Sequence, residues 1–331
     1  MKQIISIATK PKIFPVSSRL TAADRWDHFL IRIGHKRSSH CVAPGLYALG
    51  RPSPESPVFV TANYPLSFDA LRSALAGIDA YILVLDTHGI NVWCAAGKGT
   101  FSTDEIVLRV YQTQLKEVVT HRRLILPQLG APGVAAHVVR KRTGFLVEYG
   151  PIRAADLPEY LKTHEATPDM RQVRFPLRDR LVLIPVEVRN YLLPMIAAAV
   201  ILYLVGGWIS ALAAITCVLA GSVLFPLSLP WLPTHNFSTK GFFLGGLAAL
   251  PFALYTLQGP TNGPWWRQAG QAAEFLLAMP AVTAFVALNF TGATTFTSRT
   301  GVRREIFAYV PIMAVTFLTG ALLAIVFAFV R

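Results

Sequence analysis

The chain has only three cysteines in 331 residues, Cys41, Cys94 and Cys217, far apart and with no C-x-x-C pair. That spacing argues against a disulfide framework, a zinc site and an iron–sulfur cluster held by this chain alone. Acidic residues are scarce, 18 Asp and Glu against 31 Lys and Arg. The shortage is local: residues 191–331 hold two acidic and six basic side chains, against 16 and 25 in residues 1–190. A stretch of 141 residues with so few charges and long apolar runs is no ordinary soluble domain, and a bilayer is its natural solvent. No basic–aromatic recognition motif accompanies the positive balance, so nucleic acid is not an expected partner. Residues 1–15 lack a charged segment followed by an apolar core and a cleavage site. No secretory signal is therefore read there, and the first half is expected to stay in the cytosol. Glu274 sits near a helix start, and no helix centre carries a charge on an ion path, which weakens a transporter reading.

What is present divides the chain in two. Residues 1–185 read as a soluble α/β domain with its core at about 40–165, and residues 186–331 as a membrane domain. Five apolar segments fall at about 191–207, 208–232, 241–258, 271–291 and 309–330, the first two separated only around Gly206 and Gly207. Each is near the ~20 residues needed to cross the hydrocarbon. With the first domain in the cytoplasm, Arg174, Arg178, Arg180, Arg189, Lys240, Arg299, Arg303 and Arg304 fall on the cytosolic side. Arg267 and Arg331 fall on the far side, which is the positive-inside bias. Trp208, Trp231, Trp265 and Trp266 lie near predicted helix ends as interfacial anchors facing membrane lipid. The expectation is a multi-pass protein of the cell's inner membrane. The hydroxyl- and glycine-rich stretch from Asn289 to Glu305 reads as a loop, either a solvated connection or a docking surface.

In the first half, apolar β-branched runs alternate with helical spacing from about residue 55. Strands are expected at 57–61, 81–85, 124–126 and 145–147, with helices at 66–75, 102–115 and 133–142. Tyr81 to Leu85 is continuously apolar, as a strand buried on both faces requires. Ser102 and Glu105 form a capping-box pattern. This alternation predicts a Rossmann-like fold with a mainly parallel sheet and helices on both faces. Such sheets bind ligands beyond the carboxyl ends of their strands. Those ends hold Thr61 to Tyr64, Asp86 to Gly89, Pro127 to Ala131 and Tyr149 to Pro151. Thr61, Asn63, Gln128, Gly130 and Gly133 are candidate ligand-binding residues on that ground.

Between the second strand and its helix runs Asn91-Val92-Trp93-Cys94-Ala95-Ala96-Gly97-Lys98-Gly99-Thr100. A Walker loop would need Gly at Val92 and Ser or Thr at Gly99, and a dinucleotide fingerprint would need more glycines than Gly97 and Gly99. Asp86-Thr87-His88-Gly89 starts like the D-x-H-x-x-G signature of cobalamin proteins but has Asn91 where the glycine belongs. Asn91 is instead expected to cap a short helix stopped by Gly97 and Gly99. A thiol in the first turn feels the positive end of the helix dipole, and Lys98 adds to it, which favours thiolate. Cys94 then reads as a nucleophile or a soft metal ligand, and the alternative is an inert buried cysteine.

The run Asn91 to Lys98 resembles, at every position, the cap-helix motif of the corrinoid protein of mercury methylation, the HgcA family. Pro44 to Gly50, Val60 to Tyr64, His121 through Gln128 to Gly130, Gly150 to Ala154 and the Thr291 to Glu305 stretch are similar to that family too. So is the plan of a corrinoid domain followed by about five membrane helices. Pro65 and Ser102 depart from it, since Lys and Gly are expected there, which leaves room for a divergent paralogue. The resemblance implies a cobalamin-type corrinoid bound base-off, with the Cys94 thiolate on the lower face of cobalt. It implies a corrinoid-dependent methyltransferase that passes a cobalt-bound methyl group to Hg(II), giving methylmercury. Asn91, Trp93, Ala95, Gly97 and Lys98 become candidate cofactor-binding residues, with a buried aromatic and a solvated lysine as the plainer readings of Trp93 and Lys98. The implied partners are a small ferredoxin with two [4Fe–4S] clusters and a methyl-donor protein of folate type. A corrinoid methyl carrier related to the acetyl-CoA pathway is the alternative, and a tethered module with no cofactor is a third.

Overall fold

The computed structural model describes residues 11–35, 40–259, 264–294 and 297–329. The reading of residues 1–10 as free of a signal, Thr295 and Phe296 of the hydroxyl-rich stretch, and Arg331 as a far-side charge lie outside them. The chain forms two compact units, one of Met1–Ile31 with His35–Val173, the other of Arg32–Gly34 with Arg174–Arg331.

The first unit is built on a six-stranded sheet: β1 (Ile13–Val16), β2 (Gly45–Leu49), β3 (Val58–Ala62), β4 (Ala80–Leu85), β5 (Arg123–Leu126) and β6 (Leu146–Tyr149), in the order β1-β2-β4-β3-β5-β6. Strands β4, β3, β5 and β6 run parallel, and β2 is antiparallel to β4 with β1 parallel to β2. The sheet is therefore mixed and mainly parallel. β4 is buried along its whole length because it is covered on both faces. Leu83 and Leu85 point to a cluster shared with α3 (Val92–Lys98), α4 (Thr103–Gln112) and α6 (Ala136–Thr143). Ile82 and Val84 point to the opposite cluster, with α2 (Pro65–Ala74) and α7 (Leu157–Thr163). Pro15 is tolerated in β1 because that strand is at the edge and pairs only with β2.

The predicted helix at 102–115 is shorter. It ends at Gln112, after which Gln114 adopts a left-handed conformation (φ 50°) and starts a separate turn, Leu115–Val118. The capping box is half realised. Ser102 Oγ accepts from the Glu105 N–H at 3.2 Å, but the Glu105 carboxylate turns away to accept from the Asp86 N–H at 2.8 Å. The helix expected at 133–142 begins three residues later, preceded by a 3₁₀ turn at Gln128–Gly133.

Among the described residues, the second unit contains four helical stretches long and apolar enough to cross a membrane: Leu177–Ser228, Phe237–Gln258, Trp265–Ala293 and Thr300–Phe327. The first holds 52 residues, more than twice a crossing length. It cannot be straight. The Arg180 guanidinium donates to the carbonyls of Pro226 at 2.9 Å and Leu227 at 2.7 Å, with Arg180 and Pro226 separated by 46 positions in the chain. A straight helix would hold those residues about 69 Å apart. The stretch doubles back at Gly207, whose φ of 75° and ψ of −168° lie where only glycine is at ease. Gly207 lies between the apolar segments read at about 191–207 and 208–232.

Helices at Phe237–Gln258 and Trp265–Asn289 meet closely through Gly241 and Gly245, where a Cβ would lie 2.6 Å from Ala284 Cα and from Pro280 Cα respectively. Small residues at this spacing let the two backbones approach closely. Thr283 donates to the carbonyl of Cys217 at 2.9 Å, next to a π-helical turn at Ala220–Leu224. One end of this unit gathers Arg180, Lys240, which donates to the Leu229 carbonyl, and Glu305, which accepts from the Ser238 N–H. The hydroxyl-rich stretch read as a loop is shorter: Phe290–Ala293 is a 3₁₀ turn, and Arg299 to Glu305 already belong to the last helix, Arg299–Phe329. The first turns of that helix are polar and lie ahead of the apolar run from 309, so hydropathy alone does not mark them as helical.

Candidate functional site

Three loops meet at the carboxyl ends of the parallel strands: Asn63 after β3, Asp86 to Asn91 after β4, and Pro127 to Gly133 after β5. Their organiser is Asn63, a polar residue only 2% exposed. Its Oδ1 accepts from the N–H groups of Thr87 and Gly89, each at 3.0 Å, and its Nδ2 donates to Asp86 Oδ1 at 3.1 Å. The Thr87 hydroxyl lies 2.8 Å from Asn63 Oδ1 and 2.6 Å from the Ile90 carbonyl, and donates to one of them. Asp86 Oδ1 also accepts from the His88 N–H at 3.0 Å, in a turn where His88 and Gly89 are both left-handed (φ 56° and 68°). Asn63 thus shapes the loop that leads into α3, and its side chain is fully engaged in doing so.

α3 starts as its sequence dictates. Asn91 is extended (φ −62°, ψ 160°) and its side-chain oxygen accepts from the Cys94 N–H at 2.9 Å. Gly99 closes the helix in the left-handed conformation, φ 83°, with its N–H returned to Ala95 and Ala96. Cys94 occupies the first turn, half-buried and free of any disulfide. Trp93 beside it is half-buried, while Gly97 and Lys98 are exposed. Ala95 is fully buried and belongs to the core beneath the helix rather than to an open surface.

The helix rests on the 3₁₀ turn after β5. A Cβ on Gly133 would come within 2.1 Å of the Phe101 carbonyl and 3.1 Å of Ala96 Cα, and one on Gly130 within 2.6 Å of the Phe101 ring. These two glycines seat α3 against its neighbours. A Cβ on Gly97 would meet nothing within 4 Å, so the space beside Cys94 on that side is open. Thr61 is 3% exposed inside β3, and the Gln128 side chain accepts from Arg171 at 2.8 Å. The structure therefore brings Asn91, Trp93, Cys94, Gly97 and Lys98 together on one short helix, with Asn63, Gly130 and Gly133 supporting it from below.

Sequence reasoning missed Asp86, Thr87, Phe101 and Glu105 as parts of this support. Glu105 fixes the Asp86 N–H and pairs with Arg109 at 2.7 Å, and Tyr149 donates to the Val134 carbonyl at 2.9 Å. Burial pushes the Tyr149 phenol up, which keeps it a donor. The i, i+4 spacing of Glu105 and Arg109 is the sequence signal that could have marked that pair. Among the described residues, no group of three or more His, Cys, Asp and Glu is gathered to hold a metal ion. One sulfur donor suits an ion that brings its other ligands with it.

Residues 35–161 match the family model of the CO dehydrogenase/acetyl-CoA synthase delta subunit. The matched segment carries the site. The chain is also similar to acetyl-CoA decarbonylase/synthase complex subunits gamma. The identity is 33% over 123 residues for that of Archaeoglobus fulgidus and 34% over 123 for that of Methanopyrus kandleri. Each alignment covers 37% of this chain and 26% of the relative. For the subunit of Methanothermobacter thermautotrophicus the identity is 32% over 127 residues, with shares of 38% and 27%. The chain thus spans about a quarter of the length of the curated relatives it matches. The family match ends at residue 161, ahead of the long apolar helices.

Proposed function

We propose that this chain is a membrane-anchored corrinoid protein of methyl transfer, with Cys94 as the residue that would hold the cobalt of a bound corrinoid through its sulfur. The observation that carries the reading is the seating of Cys94: a half-buried thiol in the first turn of an Asn91-capped helix, beside open space at Gly97. The residues fit the group in two ways. Cys94 offers a single soft ligand, which suits a metal already held by a macrocycle, and the Gly97 side leaves room for a flat ligand to approach. A bound corrinoid would supply methyl-transfer chemistry at cobalt, and Cys94 is the residue that would hold that cobalt. Asn91 holds the helix N-terminus so that the thiol has a fixed position. Asn63, Gly130 and Gly133 keep the helix from shifting on the sheet. Trp93 would offer a bound macrocycle apolar contact, and Lys98 would offer a donor to its amide side chains. An electron-carrier partner of ferredoxin type and a folate-type methyl-donor protein complete the scheme. The long apolar helices anchor it in the inner membrane, with the α/β domain in the cytoplasm.

The similarity to acetyl-CoA decarbonylase/synthase subunits supports a methyl carrier serving an acceptor in that chemistry. A second reading, Hg(II) as acceptor, is favoured by the donor at Cys94. A thiolate is a strong electron donor, which would favour release of a methyl group from cobalt together with the bonding electron pair, and soft Hg(II) would be suited to receive it. The test is methyl transfer from the anaerobically purified full chain, loaded with methylated corrinoid, to Hg(II) and separately to a protein acceptor of the acetyl-CoA type. Methylmercury formed in proportion to corrinoid, and lost in Cys94→Ala, supports mercury as acceptor. Transfer to the protein acceptor alone retires that reading, and no corrinoid bound at all retires both.

A further inference from the structure

The helix α1 (Ala22–Arg32) presents two faces with different tasks. The inner face is committed to the α/β domain. His28 Nε2 lies 2.6 Å from Asp69 Oδ2, Asp24 accepts from Arg72 at 2.9 Å, and Ile31 is buried. The outer face carries Ala22, Arg25, Trp26, Phe29 and Arg32, spaced three or four apart and all exposed. Trp26 and Phe29 stack on each other with ring centroids 5.4 Å apart, yet remain 62% and 50% exposed. A stacked aromatic pair left open to solvent between two arginines is costly in water. It has the composition of an interfacial anchor: amphipathic rings at headgroup level, with cations beside anionic lipid.

The chain leaving α1 adds a second observation. Arg32–Gly34 group with the long apolar helices rather than with the α/β domain. The Ile33 carbonyl accepts from the Arg189 guanidinium at 3.0 Å, and a Cβ on Gly34 would touch Arg189 and Val186. Both residues lie at the start of the first apolar stretch, just ahead of its uncharged run. Phe29 is four residues from Ile33, about 6 Å along a helix, and Trp26 about 10 Å. Trp26 and Phe29 are thus tied by a few residues of chain to a segment, Arg32–Gly34, that packs on the first residues of that stretch.

We infer that the outer face of α1 docks on the anionic lipid headgroup layer, through Trp26 and Phe29 with Arg25 and Arg32 beside them. The inference rests on the membrane reading of the apolar helices. The full chain, labelled with fluorotryptophan, is placed in nanodiscs of phosphatidylcholine and phosphatidylglycerol, and Trp26→Phe identifies the Trp26 resonance. A nitroxide on the acyl chain near the headgroup probes lipid contact, and a gadolinium chelate probes water. The expected result is that the lipid label broadens Trp26 together with Trp208, Trp231, Trp265 and Trp266, while gadolinium broadens Trp26 at least about threefold less than a solvated residue. Arg25→Glu with Arg32→Glu, both on the exposed face, should remove the lipid broadening of Trp26 and restore its gadolinium broadening. If the helical tryptophans meet lipid but Trp26 meets gadolinium, the inference is overturned and the membrane reading stands. If Trp26 is shielded from both probes, a protein partner or second copy covers the face, and the inference is overturned. If no tryptophan meets lipid, the membrane reading fails and takes the inference with it.

Discussion

At the residue scale, Asn63 does more than its place at a strand end announced. Its side chain satisfies two buried N–H groups of the next loop, so Asn63→Ala leaves Thr87 and Gly89 without their acceptor. The expected cost is about 2–4 kcal/mol, read by chemical denaturation and by faster amide exchange at Thr87 and Gly89. None of this was legible beforehand, because the partners of Asn63 lie 23 to 26 positions away and two of them are backbone groups. The Asn91 cap was legible, because its partner is three residues on. Asp24 gives a pH prediction. The Thr21 N–H holds its carboxyl below the usual carboxylate range, partial burial opposes this, and Arg72 and the Thr21 hydroxyl add to the lowering. A carboxyl with a depressed folded pKa contributes stability that is present above its unfolded value and is lost as the pH falls through the folded one. Asp24→Asn should therefore lower stability at neutral pH and flatten the acid limb of the stability profile below about pH 4. An unchanged acid limb would show that the carboxylate contributes nothing there.

At the scale of elements, the helix α3 and the turn beneath it form one device. Gly133→Ala would drive a Cβ against the Phe101 carbonyl, a contact the backbone must move to relieve. Displacement of α3 is expected, with loss of corrinoid retention and a cost of about 1–3 kcal/mol in stability. Gly97→Ala separates packing from binding. It fills open space within a helix, so the apo protein should gain about 0.5–1 kcal/mol. Corrinoid affinity should nevertheless fall, and equal affinity in a binding titration would mean that the ligand does not lie against this side. The parallel strands β3 to β6 were legible because each is an apolar run followed by a helix. β1 and β2 were not: Gly45–Leu49 is short and has no helix of its own to mark it, and β1 carries a proline.

At the scale of the whole molecule, the contrast between a charged first half and an apolar second half is legible in composition, whereas the turn at Gly207 rests on a backbone conformation that composition does not show. The reversal rests on a conformation glycine alone adopts easily, so Gly207→Val should disturb it. Cysteine-accessibility mapping of the residues that follow would then show them on the wrong side of the membrane, while a topology unchanged from wild type would place the reversal elsewhere. The family match is confined to the α/β domain, residues 35–161, and does not extend over the long apolar helices.

The most direct test of the central claim is the absorption spectrum of the full chain purified anaerobically with cobalamin, recorded beside Cys94→Ala. A bound corrinoid whose Co(III) spectrum shifts when the thiol is removed is the predicted result. Corrinoid bound equally, with identical spectra in the two proteins, would contradict the assignment of Cys94 to cobalt.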